Sequence, residues 1–432
     1  MIFRFFFWVL DLFYRRSHLG GKVPPSGPLV IVANHPNGLV DPIVVARVAG
    51  RPVKILGKEP VFRMPILGWL AKQVGAIPVY RPQDGHDTKL NRGAFDAVHA
   101  ELAQGGAVLL FPEGISHNEP GLQKLKTGAA RMALGAEALA GIPLGTKVVP
   151  VGVVYRSKTR FRSNLAVEIG EPVDVAPFVD VWNQNSKEGA LALTNEIDIA
   201  LREVMLDLER WEDFPILELA TKILGDDCGH RVTHLRNLAS QGKESFEKNP
   251  KKLLRLKERL AGFDSRLKQL GLSVEQLDAP CSPGRVAWFT VQNVVATLFG
   301  LPLAALGFLF WFPPTLLIVA ALRIGKPEED IVATVKVLGG CLFFPMWIGC
   351  SIWLSRAVFN LNSFHLFDYL MVFSFLGFSG IYGSFFFRRR REAWEEFMVL
   401  VRLLSMKRLR SYLTSERDSL LKELQGSLKT EA

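Results

Sequence analysis

Between residues 28 and 175, short apolar runs of strand length alternate with longer segments whose apolar positions recur at helical spacing. PLVIVAN is followed by VDPIVVARVAG, VGAIPVYR and a helical stretch around GAFDAVHAELAQGG. AVLLFPEG, TGAARMALGAEALAG, VVPVGVVY and LAVEIGEPV continue the alternation. This pattern predicts an α/β domain, one sheet with helices on its faces. Polar residues just past the carboxyl ends of such strands line the crevice where ligands bind. Asn34–His35, Arg81 and Glu113–Gly114 each stand at such a place.

The rest of the chain is patterned differently. Phe3, Phe6, Phe7, Leu10, Phe13 and Tyr14 share one helical face, which predicts a short helix within 1–20 lying in the headgroup region of a membrane, or else packed on the protein's own core. Arg4 and Asp11 interrupt its apolar run and a basic pair follows it, unlike a cleaved secretory signal, so this helix is expected to stay on the chain. Residues 181–285 are polar and helical. Leu253, Leu256, Leu260, Phe263, Leu267 and Leu270 form an apolar stripe among lysines and arginines, suited to docking on anionic lipid or to an ordinary helical hairpin. The apolar stretch 286–322, broken by Pro302 and Pro313–Pro314, is expected to form two tight spans, with two more near 332–354 and 366–387. Four spans within 286–387 collect Arg285, Arg323, Lys326, Lys336 and Arg388–Arg391 on the cytoplasmic side, with an amphipathic tail over 388–432 on that side too.

Composition sharpens this picture. Hydrophobic residues make up 49% of the 432 and charged residues 22%, which places part of the chain in lipid. A net charge of +10 calls for an anionic partner, and a membrane surface or a phosphate-bearing substrate fits better than nucleic acid, for which there is neither zinc-finger spacing nor an RNA-binding aromatic signature. Cys228, Cys281, Cys341 and Cys350 form no C-x-x-C pair, and no disulfide framework is expected.

The segment VANHPNGLVDP holds the first candidate chemistry. A carboxylate on one imidazole nitrogen fixes the tautomer and raises the basicity of the other, which suits His35 and Asp41 to take a proton from an alcohol. Arg81 offers a planar fork for phosphate oxygens, although a surface ion pair is its ordinary use. Glu113 sits in a Pro-Glu-Gly turn, where Gly114 lets backbone approach a ligand and the carboxylate can hold a hydroxyl or orient the site. Pro150 cannot pair fully within a strand and suggests an edge or bulge beside the site. A metal site from His35, Asp41 and His117 lacks a defined ligand spacing, and no metal or cofactor is expected.

In this order, NHPNGLVD, GAIPVYR, FPEGIS and VVPVGVVY resemble the four motif blocks of the glycerolipid acyltransferase family, which includes lysophosphatidic acid and glycerol-3-phosphate acyltransferases. The resemblance covers about residues 28–175 and implies an acyltransferase domain over 21–180. It implies transfer from acyl-CoA or acyl-carrier protein as co-substrate, with His35 as base and Asp41 orienting it. Arg81 and Glu113 would serve the acceptor beside Asn34 and Gly114, and Lys58 and Lys126 stand where the family often has basic residues. The family usually has four residues between His and Asp; here Pro36, Asn37, Gly38, Leu39 and Val40 intervene, with Gly38 available to absorb the extra one. That longer spacing resembles the branch acylating glycerol 3-phosphate or dihydroxyacetone phosphate. The leading expectation is acylation of 1-acyl-glycerol 3-phosphate in phospholipid biosynthesis by a multi-pass membrane protein, in the inner membrane of a bacterium or the endoplasmic reticulum of a eukaryote. The alternatives are acylation of those two smaller phosphates and a non-catalytic lipid-binding scaffold.

Overall fold

The computed structural model describes residues 2–81, 84–85, 87–225, 235–242, 249–278, 282–358 and 365–428. Cys228 and Cys281 lie outside these residues. The chain divides into two units, one of Met1–Phe214 with Gly229–Ala239 and Glu328–Thr334, the other of Pro215–Cys228, Ser240–Pro327 and Val335–Ala432.

The first unit is built on one mixed sheet of β1 (Tyr14–Gly20), β2 (Leu29–Ala33), β3 (Lys54–Lys58), β4 (Ile77–Val79), β5 (Ala107–Leu110), β6 (Lys147–Tyr155), β7 (Ser163–Ile169) and β8 (Val173–Asp174). Its order is β1-β7-β6-β2-β5-β3-β4, with β8 also on β6. β6, β2, β5, β3 and β4 run parallel to their neighbours in that order, whereas β7 and β8 lie antiparallel on β6. Every residue of β2 and β5 is buried, because helices cover both faces of a parallel sheet. Those helices include α1 (Ile2–Phe13), α2 (Val40–Ala49), α3 (Glu59–Arg63), α4 (Pro65–Gln73), α5 (Arg92–Ala103), α6 (Gly128–Leu139), α7 (Val179–Gln184) and α8 (Ser186–Val204). Val98 and Leu102 of α5, Ala130 and Leu134 of α6, and Leu193, Ile197 and Leu201 of α8 join Val30, Val32 and Val108 in one core. Burying each of these larger side chains contributes about 1.5–3 kcal/mol. The boundary expected at residue 180 therefore falls inside this unit: α8 presents its apolar stripe to the sheet domain's own core.

The N-terminal segment also departs from expectation. Its helix ends at Phe13, and Tyr14–Gly20 becomes an edge strand parallel to β7. Leu10 and Phe13 are buried, α1 packs beside α2, and Arg47 lies 5.3 Å above the Phe7 ring, so the C-terminal part of the face expected to lie in lipid is covered by protein. Phe5 and Trp8 of α1 are exposed. Arg162 closes its C-terminus: the backbone N–H donates to the Phe13 carbonyl and Nη1 to those of Asp11 and Leu12, satisfying carbonyls that a helix end leaves open. Pro150 lies not at an edge but within β6, between β7 and β2. Its carbonyl accepts from Gly170 N–H, and its missing donor faces the interruption between β7 and β8, where no ladder bond is lost.

The second unit is helical, with α9 (Asp213–Ile223) leading into it, then α10 (Pro250–Leu270), α11 (Pro283–Gly325), α12 (Glu329–Ala357), α13 (Leu366–Ser405) and α14 (Lys407–Leu428). Asn249 caps α10 by accepting from Lys252 N–H, and Gly271 ends it in the left-handed conformation. The stripe Leu256, Leu260, Phe263 and Leu267 is buried, as are Leu413, Leu420 and Leu424 of α14. Arg259 and Arg266 pair with Glu423 and Glu416 alongside. Of the two uses expected for this stripe, helix pairing is the one formed.

The hairpin expected over 286–322 is absent. Pro283–Gly325 is one helix with Pro302, Pro313 and Pro314 inside it, about 64 Å long at 1.5 Å per residue. In lipid a chain reversal would strand backbone polar groups, whereas a proline in a helix forfeits one bond that its neighbours compensate. Three described helices, Val286–Gly325, Ile331–Ala357 and Leu366–Arg402, are long and apolar enough to cross a membrane, in place of the four spans expected. The side assignment read from Arg285, Arg323, Lys326, Lys336 and Arg388–Arg391 needed two passes in 286–322 and does not carry over. α11 and α13 pack closely: a Cβ on Gly307 would lie 2.3 Å from the Ser379 backbone. Trp311 Nε1 donates to the Leu376 carbonyl at 2.8 Å. Phe299, Leu309 and Phe367 face outward.

Candidate active site

The chain leaves β2 at Ala33 and turns through Asn37–Leu39 before α2, which carries Asp41 in its first turn. Val40 and Asp41 N–H both donate to the Asn37 carbonyl, so a helical turn takes up the fifth residue between His35 and Asp41. His35 Nδ1 lies 2.9 Å from Asp41 Oδ2. This leaves Nε2 for a substrate. The imidazole stacks on Phe111, ring centres 3.9 Å apart and planes 14° from parallel, and is 15% exposed.

Asp41 is fully buried yet saturated. Its Oδ2 also accepts from Asn37 N–H at 2.7 Å, and its Oδ1 from Tyr155 OH at 2.6 Å. Burial holds the carboxyl above the ordinary range, while the bonds from His35, Tyr155 and Asn37 pull it back toward ionisation. Burial and the Asp41 charge push the Tyr155 phenol well above its ordinary value, so it remains a donor at physiological pH.

Glu113, in the turn after β5, is 3% exposed. Its Oε1 accepts from His35 N–H at 2.9 Å; its Oε2 meets His117 Nε2 at 2.5 Å and Gln123 N–H at 2.9 Å. Of the two uses expected for this carboxylate, holding a hydroxyl or orienting the site, these bonds are of the orienting kind and tie the β2 and β5 loops together. Gly114 has φ +76°, a left-handed conformation that suits glycine. Its carbonyl accepts from Arg81 Nη1 at 2.5 Å, and Arg81 forks onto Asp84 at 2.7 and 2.8 Å. The exposed Lys126 covers Gly114, its Nζ 3.0 Å from where a Cβ would stand. Lys58 ends β3, the strand beside β5, at the same carboxyl edge of the sheet. Asn34 is 8% exposed and spends its amide on β6, donating to and accepting from the Val153 backbone at 3.0 and 2.7 Å. That prolongs the β2–β6 ladder and holds the strand end from which His35 projects.

The family model described as Acyltransferase matches residues 16–154, from β1 to the end of β6. Residues 16–154 form an acyltransferase-family domain. An uncharacterised acyltransferase of Schizosaccharomyces pombe is 23% identical over 77% of this chain and 63% of its own length. Glycerol-3-phosphate O-acyltransferase 1 of Saccharomyces cerevisiae is 22% identical over 78% of this chain and 58% of its own. A 1-acyl-sn-glycerol-3-phosphate acyltransferase of Chlamydomonas reinhardtii is 31% identical, over 32% and 38%. The chain spans less than two thirds of the length of each.

The acyltransferase domain thus gathers the predicted His35, Asp41, Arg81, Glu113, Gly114 and Lys126 at linked loops, with Asn34 turned inward and Lys58 further along the edge. Four contributors were given no site role from the sequence: Tyr14, Asn37, Phe111 and Tyr155. Tyr155 closes VVPVGVVY and Asn37 lies inside NHPNG, so both were in view, but nothing in one dimension aims them at Asp41. His117 pairs with Glu113 while His35 pairs with Asp41, and no group of three metal-ligating side chains occurs among the described residues.

Proposed function

We propose that this protein transfers a fatty acyl group from a thioester donor, acyl-CoA or acyl-carrier protein, to a hydroxyl of a glycerol-phosphate-type acceptor at a membrane. The observation that carries the reading is the His35 Nδ1–Asp41 Oδ2 pair at the carboxyl ends of parallel strands, which presents Nε2 as a base. An alcohol is a weak nucleophile at neutral pH. Nε2 takes its proton as the oxygen attacks the thioester carbonyl, Asp41 stabilises the imidazolium that forms, and collapse of the tetrahedral oxyanion expels the thiolate, which takes the proton back. The transfer is direct, without an acyl-enzyme. Arg81, Lys58 and Lys126 supply positive charge for the acceptor phosphate. Apolar helices keep donor and product chains in an anionic bilayer, which makes this a multi-pass membrane enzyme.

For the acceptor, glycerol 3-phosphate gains on 1-acyl-glycerol 3-phosphate. The yeast relative named for glycerol 3-phosphate aligns over 78% of this chain, whereas the algal relative named for the 1-acyl compound aligns over 32%. The five-residue His–Asp spacing favours the same branch, in which dihydroxyacetone phosphate is a further candidate. Purified protein in detergent, given labelled acyl-CoA or acyl-carrier protein and each of the three acceptors, tests the proposal. Transfer that disappears in His35→Ala supports it, and the preferred acceptor decides between the branches. No transfer with any pair of substrates overturns it.

A further inference from the structure

The Tyr155 hydroxyl meets the fully buried Asp41 on the carboxylate oxygen that His35 does not use, 2.6 Å away. A buried carboxylate with one oxygen unsatisfied is costly, and a carboxylate free to rotate presents no fixed oxygen to its histidine. Tyr155 comes from β6, whereas Asp41 and His35 come from α2 and the β2 loop, so the contact ties two parts of the sheet into one polar unit. Tyr14 of β1 braces the same unit: its hydroxyl accepts from Asn37 Nδ2 at 3.1 Å and donates to the Lys158 carbonyl at 2.5 Å. Asn37 in turn gives Asp41 its backbone N–H.

We infer that Tyr155 is a positioning residue for acyl transfer, holding Asp41 ionised and oriented so that His35 works as a base at neutral pH. This rests on the acyl-transfer reading above. Among the described residues, the titratable groups against this unit are Glu113 on the His35 N–H, with His117 on its other oxygen, the Lys158 ammonium on the Pro36 carbonyl at 3.0 Å, and the two phenols, both raised by burial and so neutral at working pH. Loss of the Tyr155 hydroxyl penalises the state in which the His35–Asp41 pair has given up its proton, because that state leaves a buried carboxylate whose Oδ1 has lost its donor while only Oδ2 keeps its bonds. The pair then keeps its proton to higher pH, and the base is blocked over a wider range.

The test is Tyr155→Phe in the full chain, which keeps the ring and removes only the hydroxyl, with Tyr14→Phe as comparator. The expected result is an acid limb of the kcat/KM profile displaced upward by about one pH unit and kcat at pH 7 down about tenfold, with KM for the acceptor unchanged. Tyr14→Phe, one bond further from Asp41, moves the limb less. A merely structural role lowers thermal stability and leaves the limb in place, and that result overturns the inference while acyl transfer stands. Proton NMR of the histidine ring signals, assigned with His35→Ala, gives a readout independent of turnover. If wild type transfers no acyl group, the function reading fails, and the titration of the pair in Tyr155→Phe still decides what Tyr155 does: displacement upward supports the inference, and an unchanged titration overturns it.

Discussion

Two polar clusters make an instructive contrast, one in the sheet unit and one in the helical unit. Around Asp41, donors arrive from the β2 loop and β6, braced by β1, and one ring nitrogen, His35 Nε2, is left for chemistry. Around Arg390 of α13 the hydrogen bonds among the described residues go to α11: Nη1 donates to the Asn293 carbonyl and Oδ1 at 3.0 and 2.8 Å, while the guanidinium lies over Phe386 of its own helix. On the proposed function, the first cluster holds a charge so that a neighbour can react. The second gives a charge polar company where two apolar helices run side by side. A reactive site needs distant segments to converge, whereas a helix pair needs only length, apolarity and room for the backbones to approach.

Substitutions in both places test that contrast. The largest effect is expected at His35: His35→Ala lowers kcat by about 10³-fold or more, measured with the preferred acceptor. Asp41→Asn comes next, about 10²-fold, and its stability should move the other way with pH. A buried acid whose pKa is raised on folding binds its proton more tightly folded than unfolded. Ionising it therefore costs stability progressively as pH rises from the ordinary carboxylate range through the raised value. Thermal unfolding of Asp41→Asn against wild type should show the variant gaining relative stability over that interval and holding the gain above it.

Glu113→Gln separates positioning from acceptor binding. The amide cannot accept from His117, Gln123 and His35 together, so stability should fall by about 1–3 kcal/mol and kcat by about tenfold with acceptor KM nearly constant. A rise in KM alone would instead put the acceptor on Glu113. Arg81→Lys should show the opposite split, with acceptor KM up several-fold, because a lysine cannot hold both Asp84 oxygens and the Gly114 carbonyl and so does not keep its charge placed for the acceptor phosphate. The smallest catalytic effect belongs to the helical unit. Gly307→Leu forces α11 away from Ser379 and should cost about 1–3 kcal/mol in detergent unfolding while leaving acceptor KM unchanged. A changed KM there would tie the helix pair to the acceptor site.

β2, β4, β5 and β6 were legible because each centres on a short apolar run and the helices between them show their own period, whereas β3, bounded by Lys54 and Lys58, carries no such run. Polar residues past strand ends marked His35, Arg81 and Glu113 for the same reason: chain geometry places them at one edge of any such sheet. Apolar length also marked the two later membrane-length helices.

Other features depend on where a segment finds its partner. Tyr14–Gly20 carries no strand pattern of its own and becomes one beside β7. The stripe of α10 reads equally well as a lipid face or a packing face until α14 covers it. Prolines in 286–322 suggest a reversal, yet a long helix satisfies more backbone in an apolar setting. Glu113 has the character of a substrate ligand, but its oxygens are taken by His35 of the β2 loop and by His117 and Gln123 of its own loop. Sequence determined the periodicity, the apolar lengths and the reactive groups available, since these are local properties of the chain. Tertiary structure decided which hydroxyl meets Asp41 and which carboxylate is saturated, because hydrogen-bond satisfaction depends on residues far apart in the chain being brought within 3 Å.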